Sequence, residues 1–117
     1  MNQDRKLCDM QMALARMGGN AVVLREVIEL VRADIPEMLA RMRAAVAARN
    51  FAAVEREAHS LAGTVVTFDA EAALAAAQCL EQMGRAGELS QAESAVAALA
   101  HEIALLDQAL QAELQRP

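Results

Sequence analysis

Apolar residues recur along this chain at steps of three and four, the spacing that places them on one face of an α-helix. The C-terminal segment forms a single apolar stripe of Val96, Leu99, Ile103, Leu106 and Leu110. An earlier segment repeats the pattern in Phe51, Val54, Ala58, Leu61, Val65 and Phe68. The chain has no alternating run of β-branched and aromatic residues of the kind that strands use. The pattern predicts an all-α protein.

A few breaks divide the pattern into five predicted helices. We expect them over about residues 4–17, 21–48, 51–68 and 70–85, with a last one from Ser90 to about residue 114. Asn20, Asn50 and Ser90 precede three of the helices, where a short polar side chain caps an N-terminus. Pro36 should kink or locally break the second helix, because proline lacks a backbone donor. The stretch from Gly84 to Gly87 is typical of a C-cap and turn.

Short connections between consecutive helices favour antiparallel neighbours. We therefore expect an antiparallel up-down four-helix bundle over about residues 20–114, with the N-terminal helix of about residues 4–17 as a cap. The chain of 117 residues contains no internal repeat and no low-complexity linker. A length of this size suits one domain, so residues 1–117 are expected to form a single domain.

Charge and composition narrow the classes of function. The net charge is −5, and neither basic clusters nor aromatic stacking platforms are present, which argues against nucleic-acid and membrane binding. Charged residues interrupt the apolar stretches before the roughly 20 residues that a membrane span needs. The first ten residues are too polar for a signal peptide. Cys8 and Cys79 are far apart and are expected to be reduced, so we expect a cytoplasmic protein.

His59 is the first candidate for chemistry. It lies about 130° around the predicted helix from the apolar stripe and should therefore face solvent. Gly63 follows one turn later, although glycine inside a helix costs about 1 kcal/mol relative to alanine. Its missing side chain opens the imidazole to an approaching protein surface. By position alone His59 would be an ordinary solvated histidine, as we expect for His101, which has no glycine neighbour.

The sequence around His59 adds a family resemblance. The run EAHSLAG from Glu57 to Gly63, continuing to Phe68-Asp69-Ala70, resembles the signature of bacterial histidine phosphotransfer (HPt) domains. That signature is approximately A-H-x-L-K-G, then five variable residues, then G-A. The resemblance extends over nearly the whole chain. It includes the turns MGGN at 17–20 and RNF at 49–51 and the proline-containing helix between them. It also includes Leu80-Glu81, which precede a glycine-containing turn. It implies a helical bundle that carries a phosphoryl group on His59.

The chain departs from the signature at two positions. The family's lysine, three residues after the histidine, is Ala62 here, and its second glycine is Asp69. In the family the lysine helps to hold the phosphoryl group. Arg56 and Arg85 are candidate replacements, and position 62 is expected on the exposed side of the helix, one turn from His59. Asp69 stands at a helix junction, where we expect it to affect backbone shape rather than chemistry.

A phosphoryl-accepting imidazole needs different roles for its two nitrogens. A neutral ring has one free nitrogen, and we expect Nε2 to attack while Nδ1–H is held by an acceptor. Glu81 is the candidate acceptor, on a polar stripe with Gln78 and Arg85 spaced three and four apart. The opposite side of that helix carries Ala73, Ala76, Leu80 and Met83. An ordinary surface-charge stripe is the alternative interpretation of these polar residues.

The chain has no phosphate-binding glycine loop and no acidic metal cluster, so we expect a phosphocarrier without an intrinsic cofactor, not an enzyme. The resemblance implies partners: a response-regulator receiver domain, which supplies an aspartate and Mg²⁺, and a hybrid sensor histidine kinase. We expect a monomer. A phosphorylation-independent helical adaptor, a degenerate HPt domain that binds receivers, is the alternative, and the missing lysine favours it. A histidine–cysteine metal site would need ligands at close helical spacing, which the sequence lacks.

Overall fold

The computed structural model describes residues 7–117, and this part of the chain forms five α-helices without a strand. They are α1 (Met10–Arg16), α2 (Ala21–Ala47), α3 (Phe51–Val66), α4 (Glu71–Ala86) and α5 (Ala92–Leu114). The predicted all-α class is confirmed, and the predicted ends of α2 to α5 hold to within about two residues. The first helix starts later than predicted, because residues 7–9 are not helical; residues 4–6 lie outside the described residues.

The helices form a closed ring of neighbours. Helix α2 packs against α3, α3 against α4, α4 against α5, and α5 returns against α2. Helix α1 packs against α2 at one end. This is the predicted antiparallel four-helix bundle with an additional N-terminal helix. Within residues 7–117, no helix combines the length and the apolar character required to cross a membrane.

The bundle core consists of the apolar stripes that the periodicity predicts. All five stripe residues of α5 are buried. The stripe of α3 is buried as well, except for Phe51, whose side chain is 38% exposed. The Phe51 ring lies instead beside the end of α4, where a Cβ on Gly87 would meet it at 3.9 Å. Burying a large apolar side chain stabilises the fold by about 1.5–3 kcal/mol, so the interior stripes supply most of the stability.

Two of the three predicted N-caps are confirmed. The Asn20 side chain accepts from Val22 N–H at 3.0 Å, and the Asn50 side chain accepts from Ala53 N–H at 3.1 Å. Each bond satisfies a backbone donor that has no partner inside its helix. The prediction for Ser90 is wrong. Its backbone N–H donates to the Glu88 carboxylate at 2.9 Å, and α5 begins at Ala92, with Gln91 at the N-cap position and no side-chain cap.

Of the two outcomes predicted for Pro36, a local break does not occur, because α2 is continuous over its 27 residues, and a kink stays a prediction. Pro36 lies on the exposed side of the helix, between the buried residues Ile35 and Leu39. The lost hydrogen bond is therefore at the solvent side, and packing of the flanking residues into the core keeps the helix together.

An ion pair fixes the turn between α3 and α4. The Arg16 guanidinium donates to both Asp69 carboxylate oxygens, at 2.9 and 3.1 Å, and to the Thr67 carbonyl at 3.0 Å. The hydrogen bond to Asp69 raises the pKa of Arg16. Asp69 has a left-handed backbone with φ of 51° at a position where the family has glycine. Asp69 thus shapes the backbone, as expected, and connects α1 to the turn that leads from α3 into α4.

Candidate functional site

Helices α3 and α4 approach each other closely at Gly84. A Cβ added to Gly84 would lie 2.6 Å from the backbone nitrogen of Glu55 and 2.8 Å from the carbonyl oxygen of Phe51. Only glycine allows this contact. The C-cap predicted for the stretch from Gly84 to Gly87 is confirmed at Gly87, which has φ of 68°, and Gly84 lies inside the last turn of α4.

The buried face of α4 differs from the predicted one by a small rotation. Its buried residues are Ala73, Ala77, Leu80 and Gly84, whereas Ala76 and Met83 are only partly buried. Small side chains on this face let the two helices approach, since the distance between helix axes depends on the residues at the contact. The approach brings the polar stripe of α4 beside the exposed side of α3.

The register of this antiparallel pair determines which polar residues meet. His59 on α3 lies opposite Glu81 on α4, and Glu55 lies opposite Arg85. Each step of four residues back along α3 corresponds to four residues forward along α4. The same register places Gln78 opposite Ala62.

His59 is on the solvent side of α3, as predicted, and its side chain is 78% exposed. Its Nδ1 lies 3.0 Å from Oε2 of Glu81, whose side chain is only 16% exposed. An ionised carboxylate can only accept, so Nδ1–H donates and the neutral ring carries its proton on Nδ1. Nε2 then has a free lone pair, and it makes no hydrogen bond to any of residues 7–117. The structure thus places Glu81 where an acceptor for Nδ1 is needed.

Arg85 belongs to the same group of side chains. Its Nη2 donates to Oε2 of Glu81 at 3.2 Å, and its Nε donates to Oε2 of Glu55 at 2.9 Å. The hydrogen bond to Glu55 is the main cause that raises the pKa of Arg85. The contacts form a chain from His59 through Glu81 and Arg85 to Glu55. Glu55 has no predicted role, although a signal for it is present in the sequence, because it precedes His59 by four residues just as Arg85 follows Glu81 by four.

Gly63 and Arg56 lie on the open side of His59. A Cβ added to Gly63 would meet no atom within 4 Å, so internal packing does not require glycine there. Arg56 shares with His59 a shallow depression of about 390 Å³, which Ala52 and Ser60 also line. Its side chain is 67% exposed and comes within 3.9 Å of the Glu57 carboxylate. Arg56 therefore lies near His59 but does not join the chain of contacts.

Ala62 and Gln78 do not take part in the contacts around His59. Ala62 is buried, with 8% exposure, so the expectation of an exposed position is wrong. It lies on the flank of α3 that α4 covers, which the spacing within α3 does not reveal. Gln78 is exposed on α4 and makes no hydrogen bond to the other site residues. His101, the second histidine, is exposed on α5 without a carboxylate partner among the described residues.

The burial of Ala62 gives a prediction for Ala62→Lys. The lysine stem must run between α3 and α4 before its ammonium reaches water near His59, as long cationic side chains can do. We expect a destabilisation of about 1 kcal/mol from the added bulk. Any phosphoryl group on His59 should be retained about two- to fivefold longer, because a partly solvated cation faces it. Denaturant unfolding and the decay of the phosphorylated mass measure the two effects.

Ala62→Met is the matched control, since it adds a similar stem without charge. It should lower stability equally and leave retention unchanged. Equal retention in the lysine and methionine variants would contradict an electrostatic effect at this position.

Comparisons with known proteins agree with this architecture. The family model described as Hpt domain matches residues 26–112. The crystal structure of histidine-containing phosphotransfer protein B from Pseudomonas aeruginosa PAO1 superposes with a TM-score of 0.89 at 22% sequence identity. The match covers 97% of this chain and 98% of that one, and it shows a common fold. A search of curated proteins gives no match.

Proposed function

This chain belongs to the Hpt domain family, and from that premise we propose that it accepts a phosphoryl group on His59 and passes it to a response-regulator receiver domain. The family acts in two-component signalling as a phosphotransfer carrier rather than as a catalytic enzyme. In our proposal the donor is the phosphoaspartate of a receiver domain or a histidine kinase, including a hybrid sensor kinase. The exchange takes place in the cytoplasm between monomers of this protein and its partners.

One observation carries the proposal: His59 is exposed, its Nδ1 is bound to Glu81, and its Nε2 has no partner among residues 7–117. The Nε2 lone pair attacks phosphorus, a P–N bond forms, and the P–O bond to the donor aspartate breaks. The aspartate leaves with the bonding electrons as a carboxylate. The ring becomes an imidazolium, and the nearby Glu81 carboxylate stabilises its positive charge by a charge-assisted hydrogen bond. Transfer to the next receiver reverses these steps.

In this proposal the partner protein supplies the groups that stabilise charge during the transfer. Phosphoryl transfer depends on positioning and on charge stabilisation, commonly by Mg²⁺. We propose that the receiver domain brings both the metal ion and the aspartate. Ala52, Gly63 and the 41%-exposed Val66 lie on the His59 side of α3 and offer it a small, largely apolar surface with a polar rim. Such a surface suits a transient complex.

Incubation with a phosphorylated receiver tests the proposal directly. We expect this protein to gain the mass of one phosphoryl group when the phosphorylated receiver is present. ATP and Mg²⁺ alone should add none, because the donor must be another phosphoprotein. Intact-mass analysis measures both reactions. Phosphorylation from ATP alone would contradict the role of a carrier, and no gain from any phosphorylated receiver or histidine kinase would contradict phosphoryl acceptance.

The second candidate is a phosphorylation-independent adaptor that binds receivers, and the alanine at position 62 favours it. The presence and chemical stability of a phosphoryl group on His59 distinguish the two functions. A carrier acquires an acid-labile, alkali-stable phosphoryl group on His59, whereas an adaptor binds the receiver with the same affinity before and after exposure to a phosphodonor and stays unlabelled.

A further inference from the structure

Glu55 lies near His59, but phosphoryl transfer by His59 does not by itself require this residue. It lies one turn before His59 on α3, and its Oε2 accepts from Arg85 Nε at 2.9 Å. Arg85 also reaches Oε2 of Glu81, the same oxygen that binds Nδ1 of His59. One guanidinium is therefore shared between two carboxylates, and a single oxygen atom separates it from the imidazole.

We propose that Glu55 is a positioning residue that holds Arg85 beside Glu81, and that phosphorylation of His59 draws the Arg85 guanidinium from Glu55 to the phosphoryl group. The proposal rests on the phosphocarrier function and deepens it. It assigns the cation that holds the phosphoryl group to Arg85 of α4, whereas the family has its lysine on the histidine helix itself. It also assigns to Glu55 the task of limiting how tightly that cation binds.

The change of partner follows from charge. Before phosphorylation, the anionic partners of the guanidinium among residues 7–117 are the carboxylates of Glu55 and Glu81. A phosphoryl group adds close to two negative charges and three strong acceptor oxygens. A guanidinium binds such a group in a bidentate manner, which a single carboxylate oxygen of Glu55 does not match. The half-exposed Arg85 side chain has room to turn toward it.

Glu55 opposes this binding in two ways. It competes for the guanidinium, and its own negative charge lies one helical turn from the phosphoryl group, where like charges repel. Both effects weaken retention and leave the group easier to pass on. The pair is exposed to solvent, so its removal should change retention only about two- to fivefold.

Arg56 is the other cation near His59, and the geometry favours Arg85. Arg56 makes no contact with Glu81 or Glu55, whereas Arg85 contacts both. The contact with Glu81 holds Arg85 beside His59 before the phosphoryl group arrives, and a preorganised ligand loses less freedom on binding.

The Glu55→Gln variant tests the proposal. We expect the half-life of phosphohistidine without a receiver to rise about two- to fivefold, and the exchange equilibrium with one receiver to shift equally toward this protein. Asp107→Asn is the matched control, because Asp107 forms a similar pair with Arg32 at 2.8 Å between α2 and α5. It should leave both quantities unchanged. An unchanged half-life in Glu55→Gln would overturn the proposal.

A double-variant cycle separates positioning from simple repulsion. Arg85→Gln should shorten the half-life, and Glu55→Gln added to it should lengthen the half-life less than it does in the wild-type background, because only the direct repulsion by Glu55 then remains to be removed. If Glu55→Gln acts equally in both backgrounds, Glu55 works by direct repulsion and the proposal fails. The Arg85 Nε–H signal in NMR spectra should shift when the wild-type protein is phosphorylated, and a constant signal would also contradict the exchange of partners.

A failure of the positioning role can be distinguished from a failure of the phosphocarrier function. If the wild-type protein accepts no phosphoryl group on His59, the proposed function itself is wrong. If the wild-type protein accepts the group and only the Glu55 and Arg85 variants behave differently from expectation, the function stands and the positioning role is rejected.

Discussion

Phosphoryl acceptance is expected to fall below detection in the His59→Gln variant, while the helical bundle stays intact. Glutamine has no nucleophilic ring nitrogen, but its amide can still donate to Glu81. The His59 side chain is 78% exposed, so its replacement creates no cavity. The free energy of unfolding should change by at most about 0.5 kcal/mol, as for an ordinary surface substitution. Intact-mass analysis after incubation with a phosphorylated receiver and thermal unfolding measure the two quantities.

His101→Gln is the control for this experiment, because it changes an exposed histidine on a different helix. It should accept one phosphoryl group as the wild-type protein does. Loss of acceptance in the His101 variant alone would move the site to α5, and acceptance in both single variants would refute a unique histidine carrier. Unfolding of His59→Gln would show that the residue serves the fold.

Gly84→Ala is expected to have the largest effect on stability. Its Cβ would lie 2.6 and 2.8 Å from backbone atoms of α3, which cannot move aside without moving the helix. Overpacking of this kind costs about 1–3 kcal/mol, in spite of the better helix propensity of alanine. The separation of α3 from α4 should also lengthen the His59–Glu81 contact and slow phosphoryl acceptance. Denaturant unfolding and the rate of acceptance from a phosphorylated receiver measure these changes.

Gly63→Ala is the matched control, because the same substitution enters open space on the facing helix. It should raise the free energy of unfolding by up to about 1 kcal/mol, the usual difference in helix propensity. It should also slow transfer by placing a methyl group where the receiver approaches His59. Equal destabilisation by both substitutions would contradict the close approach of α3 and α4 at Gly84.

Local features of the sequence were enough to predict the helices and the exposure of His59. The burial of the α5 stripe follows from a spacing of three and four residues, and the caps at Asn20 and Asn50 depend only on the next three residues. The exposure of His59 follows from its angle to the α3 stripe. These predictions succeed because helix geometry couples residues that are near each other in sequence.

The wrong predictions concern positions where neighbouring helices override the local signal. Pro36 signals a break, but burial of the adjacent residues keeps α2 continuous. Phe51 belongs to the apolar stripe by spacing, yet it lies at the edge of the bundle beside the end of α4. Ala62 lies at the flank of α3, and its burial depends on α4 covering that flank. Periodicity gives the apolar side of a helix but does not give the width of the contact with its neighbour.

The sequence by itself determined five helices, an exposed His59 and a glycine beside it, because each of these depends on residues within a turn or two. Only the tertiary structure decided that Glu81 binds Nδ1 of His59 and that Arg85 connects Glu81 to Glu55. The His59–Glu81 and Arg85–Glu55 contacts join residues 22 and 30 positions apart, and they depend on the register and the separation of α3 and α4. The backbone contact at Gly84, together with the small buried residues Ala73 and Ala77 of α4, lets the two helices approach closely enough for the polar side chains to meet.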